Sequence, residues 1–77
     1  MIDYKKYITI EPGKRSGQPC IRGMRITVGD ILGYLASEMS IEDILEDFPK
    51  LTREDVLAAL SYAASAQNRT ISINTAA

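Results

Sequence analysis

Three times in this chain of 77 residues a hydroxyl side chain is followed, three positions on, by aspartate: Thr27-Val-Gly-Asp30, Ser40-Ile-Glu-Asp43 and Thr52-Arg-Glu-Asp55. A hydroxyl at a helix N-cap accepts from an orphan backbone N–H. A carboxylate at the third helical position reaches back to the cap's own N–H and complements the helix dipole. Aspartate is shorter than the glutamate usual there, so the return bond is the less secure half of each pair. Each pair opens a run of apolar residues at helical spacing, which predicts three helices.

The first helix carries Val28, Ile31, Leu32, Leu35 and Met39 as a core-facing stripe, with Gly33 inside it at a cost of about 1 kcal/mol against alanine unless something packs closely there. The second buries Ile41, Ile44, Leu45 and Phe48, and Pro49 stops it. The third is expected to run from Arg53 to about Ala66, with Val56, Leu57, Leu60 and Ala64 on one face. Its Ala58, Ala59, Ala63 and Ala66 permit close approach by another helix, though they also simply favour helix. Two capped helices joined by a tight turn outline a helix-turn-helix.

Before the helices, Tyr7-Ile8-Thr9-Ile10 reads as a short strand, residues 11–19 as a Pro- and Gly-marked loop, and Cys20 to Ile26 as a second extended stretch kinked at Gly23. The fold class is therefore mainly α: a three-helix domain (residues 1–68) with a short N-terminal β hairpin or arm (1–26), then a tail, 69–77. In that tail Ile71 and Ile73 alternate as in a strand.

A core this small rarely supplies more than ~3–5 kcal/mol, so such domains add disulfides, a metal or a partner subunit. Cys20 is the only cysteine and histidine is absent, which removes the disulfide and an ordinary zinc site and leaves association, here expected as a homodimer. No metal or cofactor is expected. A lone cysteine suits a reducing cytosol, the N-terminus lacks the apolar run of a signal peptide, and no stretch approaches membrane-spanning length. Cytoplasmic placement is the expectation.

The net charge of −1 hides an asymmetry. Residues 1–26 hold Lys5, Lys6, Lys14, Arg15, Arg22 and Arg25 against two acids; residues 27–64 hold two bases against eight acids. A basic arm beside an acidic body is one reading, solvated loop charges the other. A recognition helix normally offers Arg, Lys, Asn or Gln to base edges. The third helix instead offers Arg53 flanked by Glu54 and Asp55, so DNA contact is expected through the arm first and Arg53 second.

Catalytic motifs fail on inspection. Gly13-Lys14-Arg15-Ser16 lacks the spacing of a phosphate loop, with Ile8 where glycine is needed. Cys20 has no histidine to activate it and is expected in the core. Glu42, Asp43, Glu46 and Asp47 spread around more than one face and read as solvated surface. No nucleophile, base and oxyanion donor assemble, so no enzyme is expected.

Residues 16–28, Ser-Gly-Gln-Pro-Cys-Ile-Arg-Gly-Met-Arg-Ile-Thr-Val, followed by the Phe48-Pro-Lys-Leu-Thr52 turn and Tyr62-Ala-Ala64, resemble the small bacterial and archaeal "domain of unknown function 433" proteins over about residues 5–66. Met24 stands where that family usually has threonine and Gln18 where it has lysine or arginine, which removes a hydroxyl and a positive charge. The resemblance implies a homeodomain-like, dimeric domain and an antitoxin-like role beside PIN-like nucleases, with operator DNA as a further ligand; a stand-alone DNA-binding transcription regulator and a dimeric interaction module that binds no DNA are the alternatives. It also implies a cationic side chain entering the nuclease's acidic metal cluster. Arg69, the only basic residue beyond the third helix, is the candidate, with residues 70–74, including Ile71 and Ile73, pairing as a strand.

Overall fold

The computed structural model describes residues 2–70, with side chains through Gln67. Helices α1 (Val28–Ala36), α2 (Ile41–Asp47) and α3 (Arg53–Thr70) follow a two-stranded antiparallel hairpin of β1 (Ile8–Thr9) and β2 (Cys20–Ile21), with Ile8 opposite Ile21 and Thr9 opposite Cys20. A 3-10 turn, Tyr4–Lys6, precedes β1. The molecule is thus mainly helical with a short hairpin, as the sequence predicts.

All three capping boxes close. Asp30, Asp43 and Asp55 each donate a backbone N–H to the cap hydroxyl three residues earlier, at 2.9, 3.0 and 3.2 Å. The shorter aspartate still makes the return bond, with Thr27, Ser40 and Thr52 donating their N–H to the carboxylates at 3.0, 3.0 and 2.8 Å. At its other end α1 closes by a Schellman arrangement. The Met39 and Glu38 amides donate to Tyr34 and Leu35 carbonyls, and Glu38 takes φ 70° where glycine is usual. Phe48, held extended ahead of Pro49, ends α2 and stacks its ring on Tyr34 at 5.0 Å.

Ile21, Val28, Ile31, Ile44, Leu51, Val56 and Ala59 form the buried core, with Leu32, Leu35, Met39, Ile41, Leu45 and Phe48 packed at its margin. The expected stripes of α1 and α2 are therefore in place. Nothing approaches Gly33 within contact distance, so its helical cost is not offset by packing. Cys20 is buried, as expected, and its thiol donates to the Gln18 carbonyl.

Helix α3 departs from expectation in two ways. Val56 is buried, but Leu57 and Leu60 face outward. A helix turns by 100° per residue, and the inward side is taken by Asp55, Val56, Ala58, Ala59 and Ser61, where the small alanines admit the rest of the chain closely. The helix also continues to Thr70 rather than ending near Ala66, since no glycine or proline interrupts residues 64–70. The N-terminal segment lies along it: Ser61 Oγ donates to the Ile2 carbonyl at 3.0 Å, and the Tyr4 ring meets Tyr62 edge-on at 5.3 Å. No helix among the described residues is long and apolar enough to cross a membrane.

Candidate interaction surfaces

The arm is a series of tight turns that aim arginines at helix starts. After β2 the chain reverses through Arg22 and Gly23, at φ 44° and 74°, and the Met24 N–H donates to the Ile21 carbonyl at 2.7 Å. Positive φ at both central residues marks a hairpin turn of the primed class, with glycine supplied at the second position and arginine strained into the first. The Gly23 N–H is held by Thr9 Oγ1 at 2.9 Å. From this turn the Arg22 guanidinium crosses to the start of α3. Nε and Nη2 donate to the two Asp55 carboxylate oxygens at 2.8 and 2.9 Å, and Nη2 donates also to the Lys50 carbonyl at 2.9 Å.

Asp55 is fully buried while 43% of the Arg22 side chain stays exposed. Burial alone would push the Asp55 carboxyl up. The Arg22 hydrogen bonds and charge, with the Thr52 N–H, overcome that and hold it below the usual carboxylate range. The same pair raises Arg22. Arg22 therefore supplies the countercharge that lets a fully buried carboxylate stay ionised.

A second turn repeats the device at α1. Arg15, Ser16 and Gly17 all take positive φ, and Arg15 Nη1 donates to Asp30 Oδ2 at 2.9 Å and to the Arg25 carbonyl at 2.6 Å. Burial raises the Asp30 carboxyl; the Thr27 N–H and then Arg15 outweigh it and lower the net value. Lys14 lies 3.5 Å from Glu11 and donates to the Gly23 carbonyl, tying the two turns together.

Of the seven cations expected to meet DNA, four are thus engaged within the chain: Lys14, Arg15, Arg22, and Arg53, which pairs with Glu42 at 3.2 Å on the surface. Lys5, Lys6 and Arg25 are exposed, and their side chains have no partner among the described residues. Pairing within the chain thus takes up three of the six cations that the sequence places in the arm. Arg69 lies in the last turn of α3, so residues 69 and 70 are helical rather than extended; the Arg69 side chain, Ile71 and Ile73 lie outside what is described.

A surface the sequence reading did not single out is the outer face of α3. Leu57 and Leu60 are 38% and 37% exposed, beside exposed Arg53 and Glu54. Its signal was present in the spacing 53, 57, 60, 64, 67, which follows one side of a helix in alternate steps of four and three. Among the described residues no cluster of His, Cys, Asp or Glu is arranged to hold a metal ion.

The family model described as "Protein of unknown function (DUF433)" matches residues 8–63. The uncharacterized protein y4eO of Sinorhizobium fredii (strain NBRC 101917 / NGR234) is 34% identical over 59 residues, which cover 77% of this chain and 27% of that protein. The crystal structure of a DUF433 member protein from Anabaena variabilis ATCC 29413 is similar at a TM-score of 0.75 and 34% identity, over 80% of this chain and 61% of that one. The chain accordingly spans about a quarter of the curated relative's length.

Proposed function

We propose that this chain, which belongs to the DUF433 family of proteins of unknown function, is a protein-binding module of the antitoxin kind. On this reading it works in the cytoplasm as a homodimer and engages a PIN-like nuclease. The observation that carries the protein-binding part is the outer face of α3. Where a DNA reader presents Arg, Lys, Asn or Gln, this helix presents Leu57 and Leu60 beside Glu54, and its one basic residue there, Arg53, is tied to Glu42. An apolar stripe with charge only at its first turn suits a protein surface better than a polyphosphate. The match of about a quarter of y4eO also fits a module that recurs inside longer chains.

The nuclease comes from the family resemblance. In this reading Arg69, on the final turn of α3, supplies a cation to the acidic metal cluster of the partner. Expression of the tagged chain with its native flanking genes tests it. A small nuclease co-eluting in stoichiometric amount, and inhibited less by Arg69→Ala, supports the reading; a chain that elutes with no partner overturns it. No catalytic role is proposed for the chain itself.

Operator binding through the arm is a second reading, supported by Lys5, Lys6 and Arg25, which are exposed and whose side chains have no partner among the described residues. Three phosphate contacts per protomer would give a dimer a log–log salt slope of roughly −5, since each released counterion contributes about −0.9. A slope near zero in a fluorescence titration removes this reading.

A further inference from the structure

The protein-binding reading leaves open what covers the stripe on α3, and we infer that the occupant is the same stripe on a second copy of this chain, packed antiparallel. The positions Arg53, Leu57, Leu60, Ala64 and Gln67 repeat at the four-three spacing of a two-helix seam. Charge on that face is confined to its first turn, in Arg53 with its partner Glu42 and in Glu54; from Leu57 to Gln67 the outward positions carry none.

That distribution selects the partner and its direction. A polyanion meets Glu54 and Glu42. A parallel second copy sets Arg53 against Arg53 and Glu54 against Glu54. An antiparallel copy lays each charged turn against Gln67 of the other, opposes the two helix dipoles, and lets Leu57 of one copy fill the space over Ala64 of the other. The twofold axis then passes close to Leu60, so the contact closes on itself and ends at two copies. Both leucines stand on a helix whose inner side is already filled, so this association needs no rearrangement of the core.

Sedimentation equilibrium of the full chain tests the inference. The wild type is expected to dimerise with concentration. Leu57→Glu and Leu60→Glu should each weaken the dimer at least about ten-fold, since central apolar residues dominate such contacts, with unchanged helix content. Ile10→Glu, at an exposed apolar residue of the arm, should leave the dimer intact. Geometry is read by oxidation. Leu60→Cys should cross-link to itself, and Arg53→Cys should cross-link to Gln67→Cys in a mixture but not to itself. Cys20 is buried and should not interfere.

A wild type that stays monomeric, or leucine variants that dimerise as the wild type does, overturns this face whatever the nuclease pull-down returns. Self-linking of Arg53→Cys overturns the antiparallel direction. Nuclease capture by a folded, monomeric Leu60→Glu variant would keep the two readings separate.

Discussion

Asp55 and Asp43 hold the same position in the same kind of cap, third in a helix behind a hydroxyl, and they live in opposite surroundings. Asp43 is exposed, bonds only to the Ser40 box, and leaves the α2 start open to water. Asp55 is fully buried and receives, besides the Thr52 box, both arms of the Arg22 guanidinium. One aspartate only starts a helix; the other also joins the arm to the helical body across 33 residues of chain. The lesson is that a local motif fixes where a helix begins, and a distant cation decides what that beginning is worth.

Breaking the clamp should have the largest effect, and the two halves should not be equivalent. Arg22→Ala strands a buried carboxylate without its countercharge, a change that costs about 3–4 kcal/mol, placed at the low end because water reaches Arg22. Asp55→Ala leaves a partly exposed guanidinium that can turn to solvent, so the loss should be smaller, about 2–3 kcal/mol. Urea unfolding measures both. The double variant should be more stable than Arg22→Ala alone; if it is less stable, the buried charge is not what the clamp answers.

Acid should remove the same contrast without mutation. The Asp55 carboxyl sits below its ordinary value in the folded chain, so its contribution is complete above the unfolded aspartate range and is lost as pH falls through the folded value. Asp55→Asn cannot follow that titration. The stability gap between wild type and Asp55→Asn should therefore narrow steadily below about pH 5. A constant gap at Asp55 would mean that shape rather than charge holds the site.

The α1 start lies between the two extremes and sharpens the gradient. Asp30 is clamped by Arg15, but 29% of its side chain is exposed. Asp30→Ala removes a cap return bond and a partly screened ion pair, for an expected loss of about 1–2 kcal/mol. A value equal to that of Asp55→Ala would show that the clamp, not burial, sets the scale.

What the sequence could and could not disclose follows from range. The three caps are legible because hydroxyl and carboxylate are three residues apart, and the hairpin is legible from alternation and from the Gly23 kink. The Arg22–Asp55 pairing is not, because nothing local links a turn residue to a helix start 33 positions away. Counting charge by segment therefore treated Arg15 and Arg22 as available to a phosphate when they are committed to aspartates. The facing of α3 misled for a related reason. Hydrophobicity alone assigns Leu57 and Leu60 to the core, but the buried Asp55 and the close-packed Ala58 and Ala59 turn that helix so that its leucines look outward. In both places polar and small residues, which carry little weight in a hydrophobic pattern, set the geometry of the candidate surface.

The smallest predicted effect is the one that most strictly tests the comparison. Asp43→Ala deletes the return bond to the Ser40 N–H and one favourable charge near the α2 dipole, but the freed N–H meets water at once and no buried group is left unpaired. The cap hydroxyl still accepts from residue 43, so half of the box survives. The expected loss is about 0.5–1 kcal/mol, within the usual range for an exposed cap. Combining it with Asp55→Ala should give the sum of the two single losses, because the caps share no hydrogen-bond partner. A measured excess over that sum would mean that α2 depends on the clamped start of α3, and the two regions would then be one cooperative unit.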